Sequence, residues 1–68
     1  MNGYIVSKTN GGKIKIESNE GLKKYISINY YYNNIAEMVQ DYLKRNLNIK
    51  ISNIIEFEKF YILIENES

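Results

Sequence analysis

The sequence predicts a two-layer α+β domain in which one helix covers one face of an antiparallel sheet of four to five strands. Three observations lead to this fold class: several short segments that alternate apolar and polar residues, one segment with helical spacing, and an Asn-Gly-Gly turn between two alternating segments. The predicted element order is β-β-β-α-β-β. A chain of 68 residues has room for one hydrophobic core, so we expect residues 1–68 to form a single domain.

The first two strands are predicted to form a hairpin around Asn10-Gly11-Gly12. Asn and Gly tolerate the positive φ that tight turns require. A two-residue loop would pair Ile5 with Ile16, whereas a three-residue loop would pair Val6 with Ile16. The two registers bury opposite faces of the first strand, and we favour the two-residue loop.

Residues 24–30 are predicted to form the third strand, which ends in the run Tyr30-Tyr31-Tyr32. Successive side chains of a strand point to opposite faces, so the three rings do not form a single platform. Tyr31 is expected to point outward, and Tyr32 is expected to pack on the first turn of the helix. The side chains predicted to face inward are Ile26, Ile28 and Tyr30.

The helix has the strongest pattern in the chain, an apolar stripe at three-and-four spacing. Asn34 suits the N-cap position, and Glu37 follows at the spacing of a capping box. Asn46 or Asn48 is expected to end the helix in a left-handed conformation. The stripe consists of Ile35, Met38, Val39, Tyr42, Leu43 and Leu47.

After the helix the period returns to two, which predicts strands beginning near Ile49 and Phe60. Glu58-Lys59 lies between them and is a weak turn signal, because it contains neither Gly nor Asn. The segment is compatible with a tight hairpin, with one long bulged strand, or with a short helical turn around residues 52–55. If the hairpin forms, Ile55, Phe57, Phe60, Ile62 and Ile64 share one face, and Tyr61 and Leu63 line the other.

A single helix covers only one face of the sheet, which leaves the second face open. We expect that face to carry an apolar patch rimmed by the charges of Lys13, Lys15 and Glu17, and such patches mark association surfaces. The protein-interface candidates are Tyr25, Tyr31, Tyr61 and Leu63.

The composition argues against catalysis and against metal or cofactor binding. The chain has no His and no Cys, which removes the commonest general base and the usual zinc ligands. Gly11-Gly12 lies in a hairpin turn and is not at the strand-to-helix junction of a phosphate-binding loop. We therefore expect no enzyme, no catalytic residue, no metal, no cofactor and no small-molecule substrate.

Five lysines near the first hairpin suggest an alternative function. Together with Tyr25 they could hold a nucleic-acid backbone and stack a base. The calculated isoelectric point of about 7.9 is below the range typical of nucleic-acid-binding domains, so solvated lysines that protect a sheet edge are the favoured interpretation. The nucleic-acid-contact candidates are Lys8, Lys13, Lys15, Lys23 and Lys24.

The function that the sequence favours is a small non-enzymatic protein-interaction module, homodimeric or docked on a larger partner. Association would bury the open face or add a strand at a sheet edge. Heavy use of Asn, Ile and Lys suggests an AT-rich source, for which an inhibitor or accessory factor of a phage or other mobile element is a suitable role. The first residues lack a signal-peptide pattern and the longest apolar run, residues 60–64, is too short to span a membrane, so we expect a cytoplasmic protein without membrane contact.

Overall fold

The computed structural model describes residues 2–67 and confirms the predicted fold class and element order. One helix and five strands are present in these residues, and the strands form one antiparallel sheet in the order β3-β2-β1-β5-β4. The elements are β1 (Gly3–Lys8), β2 (Ile14–Ser18), β3 (Lys23–Ile26), α1 (Ile35–Leu47), β4 (Ile51–Glu56) and β5 (Phe60–Glu65).

The β1–β2 hairpin has a three-residue loop, so the favoured two-residue register is wrong and the alternative is correct. Gly12 adopts φ +81° and its N–H donates to the Thr9 carbonyl at 3.1 Å. Thr9 in turn donates to the Lys13 carbonyl at 2.8 Å. A left-handed glycine that closes such a loop is common in hairpins of this length. Val6 consequently pairs with Ile16.

The hydrophobic core lies between α1 and one face of the sheet, here called the covered face. Because side chains alternate along each strand, the register that pairs Val6 with Ile16 sends both of them into this core. Every core side chain below is at most 5% exposed. The sheet contributes Tyr4, Val6, Ile14, Ile16 and Leu63, and the helix contributes Met38, Val39 and Leu43.

Local signals in the sequence determine both ends of α1, as predicted. The Glu37 N–H donates to the Asn34 side-chain oxygen at 2.8 Å, which satisfies one of the free donors of the first turn. Asn48 ends the helix with φ 55°. Within residues 2–67, no helix has the length and apolar character needed to cross a membrane.

Glu58-Lys59 forms a tight turn between two separate strands, so the hairpin is the correct alternative, and residues 52–55 belong to β4 and not to a helical turn. The Phe57 N–H donates to the Phe60 carbonyl at 2.9 Å. The two phenylalanine rings stack with their centroids 4.6 Å apart and 14° between their planes. Stacking of the two rings stabilises the hairpin by about 0.5–1.5 kcal/mol beyond the effect of area burial. This stabilisation offsets the weak turn preference of Glu58 and Lys59.

A bulge in β4 brings two isoleucines to the covered face. Ile51 pairs with Glu65 and Asn53 pairs with Ile64, so β4 has one extra residue, Ser52, between these pairs. Ile51 and Ile54 both pack against the core, although an odd spacing would place them on opposite faces of a regular strand.

The third strand is shorter than predicted, and the inward orientation predicted for Tyr30 is wrong. β3 ends at Ile26, and a turn follows in which the Tyr31 N–H donates to the Asn29 side-chain oxygen at 3.0 Å. Tyr30 and Tyr31 are 89% and 96% exposed, because strand alternation no longer applies in this turn. Tyr32 packs against the helix as predicted, with its hydroxyl donating to the Asp41 carboxylate.

Candidate functional site: the open face of the sheet

The sheet face opposite α1, here called the open face, is the main uncovered surface of the described chain. Its side chains follow from the strand register and from alternation along each strand. They are Ile5, Ser7, Lys15, Glu17, Lys23, Tyr25, Asn53, Ile55, Phe57, Phe60, Ile62 and Ile64.

One half of the open face, formed by β1, β5 and β4, is apolar. Ile62 lies at its centre, because it is paired with Ile5 on one side and Ile55 on the other. Ile5, Ile55 and Phe57 are 46%, 40% and 44% exposed, and the stacked ring of Phe60 continues the surface towards the turn. An apolar surface of this kind is typical of an association site on a small domain.

The other half, formed by β2 and β3, carries charge. The Lys15 ammonium lies 3.1 Å from the Glu17 carboxylate, and both side chains are partly exposed. Lys23 pairs with Glu17 across the strands, and Tyr25 pairs with Lys15. Lys15 and Glu17 therefore lie along one side of the apolar half, and their charged groups are in contact with solvent.

Both outer strands of the sheet are poor templates for an added strand. β3 carries the adjacent lysines Lys23 and Lys24, which discourage pairing with another chain. On β4, the hydrogen-bonded pair Phe57–Phe60 means that the backbone of Ile54 points away from β5. Its N–H donates to the Asn53 side-chain oxygen at 2.9 Å, and the β4 bulge further interrupts the edge.

The structure separates the four predicted interface candidates. Tyr25 lies on the open face and is half-exposed. Tyr31 is exposed but lies in the turn after β3, outside the sheet. Placing Tyr61 and Leu63 on the open face is wrong: Leu63 is fully buried and Tyr61 packs against the core. The reason is the hairpin register, which pairs Tyr4 with Leu63 and Val6 with Tyr61 on the covered face.

The sequence prediction missed the six apolar residues that form half of the open face. Their common facing was predicted correctly for β4 and β5, but the side on which the helix packs was inverted. The alternation in β2, where Ile14 and Ile16 are apolar and Lys15 and Glu17 are charged, indicates only the charged part of this face. The apolar part depends on the hairpin register, which the local pattern does not determine. The missed residues are Ile5, Ile55, Phe57, Phe60, Ile62 and Ile64.

The five lysines proposed for nucleic-acid contact do not share one surface. By strand alternation, Lys15 and Lys23 lie on the open face, whereas Lys8 and Lys24 lie on the opposite side of the sheet. Lys13 precedes β2 at the hairpin. Lys15 is also paired with Glu17, which reduces its positive field.

A small polar cluster lies where β1 begins and β5 ends, and its hydrogen bonds stabilise the fold. The Tyr4 hydroxyl donates to the Glu65 carboxylate at 2.7 Å, and the Asn2 amide donates to the same oxygen at 3.3 Å. Burial of the ring, followed by the bond to Glu65, raises the pKa of Tyr4 to about 12. The hydrogen bond from Tyr32 to Asp41 also raises the pKa of Tyr32. Among residues 2–67, no group of three or more His, Cys, Asp or Glu side chains is arranged to hold a metal ion.

Comparison of the chain with protein-family models, with curated proteins and with solved structures finds no match.

Proposed function

We propose that this chain is a non-enzymatic protein-interaction module whose binding surface is the open face of the sheet. The observation that carries the proposal is the continuous apolar surface around Ile62, of which Ile5, Ile55 and Phe57 are each at least 40% exposed. A partner that covers this surface removes apolar area from water, which stabilises the complex by about 25 cal/mol for each Å² buried.

The sheet edges favour face burial over strand addition as the mode of binding. Lysines occupy β3, and β4 has both a bulge and an N–H donor that is already bonded to Asn53. A partner strand would have to displace that side chain and accommodate the bulge. A partner that lies flat on the open face disturbs neither feature.

Other parts of the proposal come from composition. A binding role as an inhibitor or accessory factor requires no catalytic group, and a chain without His and Cys is suited to it. We place the protein in the cytoplasm, since small secreted domains commonly depend on disulfides. Nucleic-acid binding is the weaker alternative, because the five lysines are divided between two sides of the sheet.

The experiment compares open-face variants with the same substitution at an exposed residue outside the sheet. Ile5→Lys and Ile55→Lys each place a charge in the apolar half, and Tyr30→Lys is the matched control outside the sheet. Self-association is measured by sedimentation, and partner binding is measured by retention of host proteins on the immobilised chain. We expect both open-face variants to lose association at least about tenfold, while the control and all circular dichroism spectra stay unchanged.

Two results would contradict the proposal. One is association that is equally strong in the wild type and both open-face variants. The other is retention on heparin that falls steeply with salt and depends on Lys8 and Lys24, which would favour the nucleic-acid alternative.

A further inference from the structure

Ten of the twelve open-face side chains form two parallel rows that run across all five strands, while Ile64 and Asn53 lie beside the first row, level with Gly3. Each row follows the cross-strand pairs, so its members lie side by side. The first row is Lys23, Glu17, Ile5, Ile62 and Ile55. The second row is Tyr25, Lys15, Ser7, Phe60 and Phe57.

The two rows have compatible chemistry on four of the five strands. On β2, Glu17 of the first row corresponds to Lys15 of the second, and on β5 Ile62 corresponds to Phe60. On β4, Ile55 corresponds to Phe57. On β3, Lys23 corresponds to Tyr25, a cation opposite an aromatic ring. Only β1 pairs an apolar with a small polar residue, Ile5 with Ser7.

From this match we infer that the open face binds a second copy of this chain, related by a two-fold axis that crosses the strands midway between the two rows. The inference rests on the proposed function and specifies its partner. Such an axis places the first row of one copy on the second row of the other. Lys15 then faces Glu17 of the second copy, twice by symmetry, and the apolar halves cover each other.

The geometry of packed sheets is compatible with these contacts. Aligned sheets stack about 10 Å apart and cross at about 30°. Because β2 is one strand away from the central strand β1, that crossing displaces facing residues on β2 by only about 2–3 Å. Lys and Glu side chains are long and flexible enough to compensate for this displacement. The charged half lies towards the rim, where an ion pair keeps water contact and avoids the full cost of desolvation.

The size of the open face determines the expected strength of the dimer. Five strands spaced about 4.8 Å apart, each with about five residues at about 3.4 Å, give roughly 400 Å² of flat area per copy. This is smaller than the roughly 800 Å² of accessible surface that a stable specific interface typically buries per partner, and it is in the range of weak, transient complexes. We therefore expect a reversible dimer with a dissociation constant in the micromolar range.

The test uses the charge reversals Lys15→Glu and Glu17→Lys, separately, mixed and combined in one chain. In the two-fold dimer, each single variant places like charges opposite each other twice, so its self-association should weaken at least about tenfold. An equimolar mixture of the two variants pairs carboxylates with ammonium groups. The mixture should therefore form a heterodimer at least as tight as the wild-type dimer.

The chain that carries both reversals should regain wild-type self-association, since the facing pair is restored with its signs exchanged. Sedimentation equilibrium across a dilution series, with native mass spectrometry to identify the heterodimer, measures all four samples. Raising the salt concentration should weaken the heterodimer of the mixture, because its facing charges are partly exposed.

The outcomes separate this inference from the proposed function. A mixture that associates no more tightly than its components would overturn the two-fold arrangement, even if Ile55→Lys disperses the wild-type dimer. A wild-type chain that is monomeric at about 1 mM but loses a host partner through Ile55→Lys would overturn the inference and leave the proposed function in place. Association that survives both Ile5→Lys and Ile55→Lys would overturn both.

Discussion

At the scale of single residues, Tyr4 shows how a polar group is accommodated in this small core. Its ring is 5% exposed and packs in the hydrophobic cluster, while the hydroxyl reaches Glu65 at the margin. A buried hydroxyl without a partner would destabilise the fold by about 1–3 kcal/mol. The carboxylate of Glu65 provides that partner, and the neutral phenol is favoured over its anion.

Replacing Tyr4 by Phe removes the hydroxyl and keeps the ring. We expect the variant to be less stable than the wild type by about 1 kcal/mol at pH 7, from loss of the hydrogen bond. The pKa of Tyr4 rises from 10.0 in the unfolded chain to about 12 in the fold. Stabilisation by the neutral phenol is therefore complete below pH 10 and declines as pH rises towards 12.

The measurement is urea unfolding of wild type and Tyr4→Phe at several pH values between 7 and 12. Other tyrosines and the lysines titrate in both proteins, so only the difference between the two free energies of unfolding is interpreted. That difference should shrink above pH 10. A difference that stays constant to pH 12 would mean that Tyr4 ionises as freely in the fold as in the unfolded chain.

Exposure of individual residues was predictable only where the local pattern was unambiguous. Alternation in β2 places Ile14 and Ile16 on one side of the strand and Lys15 and Glu17 on the other, and both isoleucines are buried. Tyr30 was misplaced because the strand that was expected to orient it ends four residues earlier, at Ile26. Hydrogen bonds of Asn29 to the following turn compete there with strand pairing, and this competition leaves little trace in apolar periodicity.

At the scale of elements, the helix was predictable and the first hairpin was not. Every signal for α1 is local: a cap at Asn34, an apolar stripe, and an Asn that tolerates the left-handed conformation at its end. The hairpin depends on which residue of Asn10-Gly11-Gly12 takes positive φ. All three tolerate it, so the two loop lengths differ little in local preference, and the packing of Val6 against the helix layer decides between them.

The loop geometry predicts different effects for adjacent glycines. Gly12 has φ +81°, and a Cβ there would contact nothing within 4 Å, so Gly12→Ala introduces only backbone strain. We expect it to destabilise the domain by about 1–2 kcal/mol. Gly11 does not have a positive φ, and a Cβ added to it would lie 3.8 Å from the Thr9 hydroxyl, an ordinary contact.

Gly11→Ala is the matched control and should be neutral or stabilising by up to about 1 kcal/mol, since Ala restricts the unfolded chain. Thermal unfolding of both variants measures the difference. If Gly11→Ala were the more damaging of the two, the positive φ would belong to Gly11, and the two-residue loop would be the correct register.

At the scale of the whole molecule, one register choice determines the orientation of both central strands. β1 and β5 are apolar on both faces, so their own alternation does not indicate which face meets the helix. Once Val6 is paired with Ile16, the β1–β5 register sends Leu63 to the core and Ile62 to the open face. The fold class was predictable because it needs only the number and order of elements. The open face was not, because it depends on this long-range pairing.

The adjacent residues Leu63 and Ile62 test this arrangement in one experiment. Leu63→Ala removes a fully buried side chain and should cost about 2–5 kcal/mol, a large part of the roughly 3–10 kcal/mol expected for a domain of this size. Ile62→Ala removes a partly exposed side chain from the open face and should cost the monomer less than about 1.5 kcal/mol. Urea unfolding at low protein concentration measures both values without a contribution from association.

The same measurement at high protein concentration tests the dimer. A dimer that forms through the open face stabilises only the folded chain, so the wild type and Leu63→Ala should become more stable as the concentration rises. Ile62→Ala should gain less stability. Equal losses for the two variants at low concentration would mean that both faces of β5 are buried in the monomer, which would leave no free apolar face for a partner.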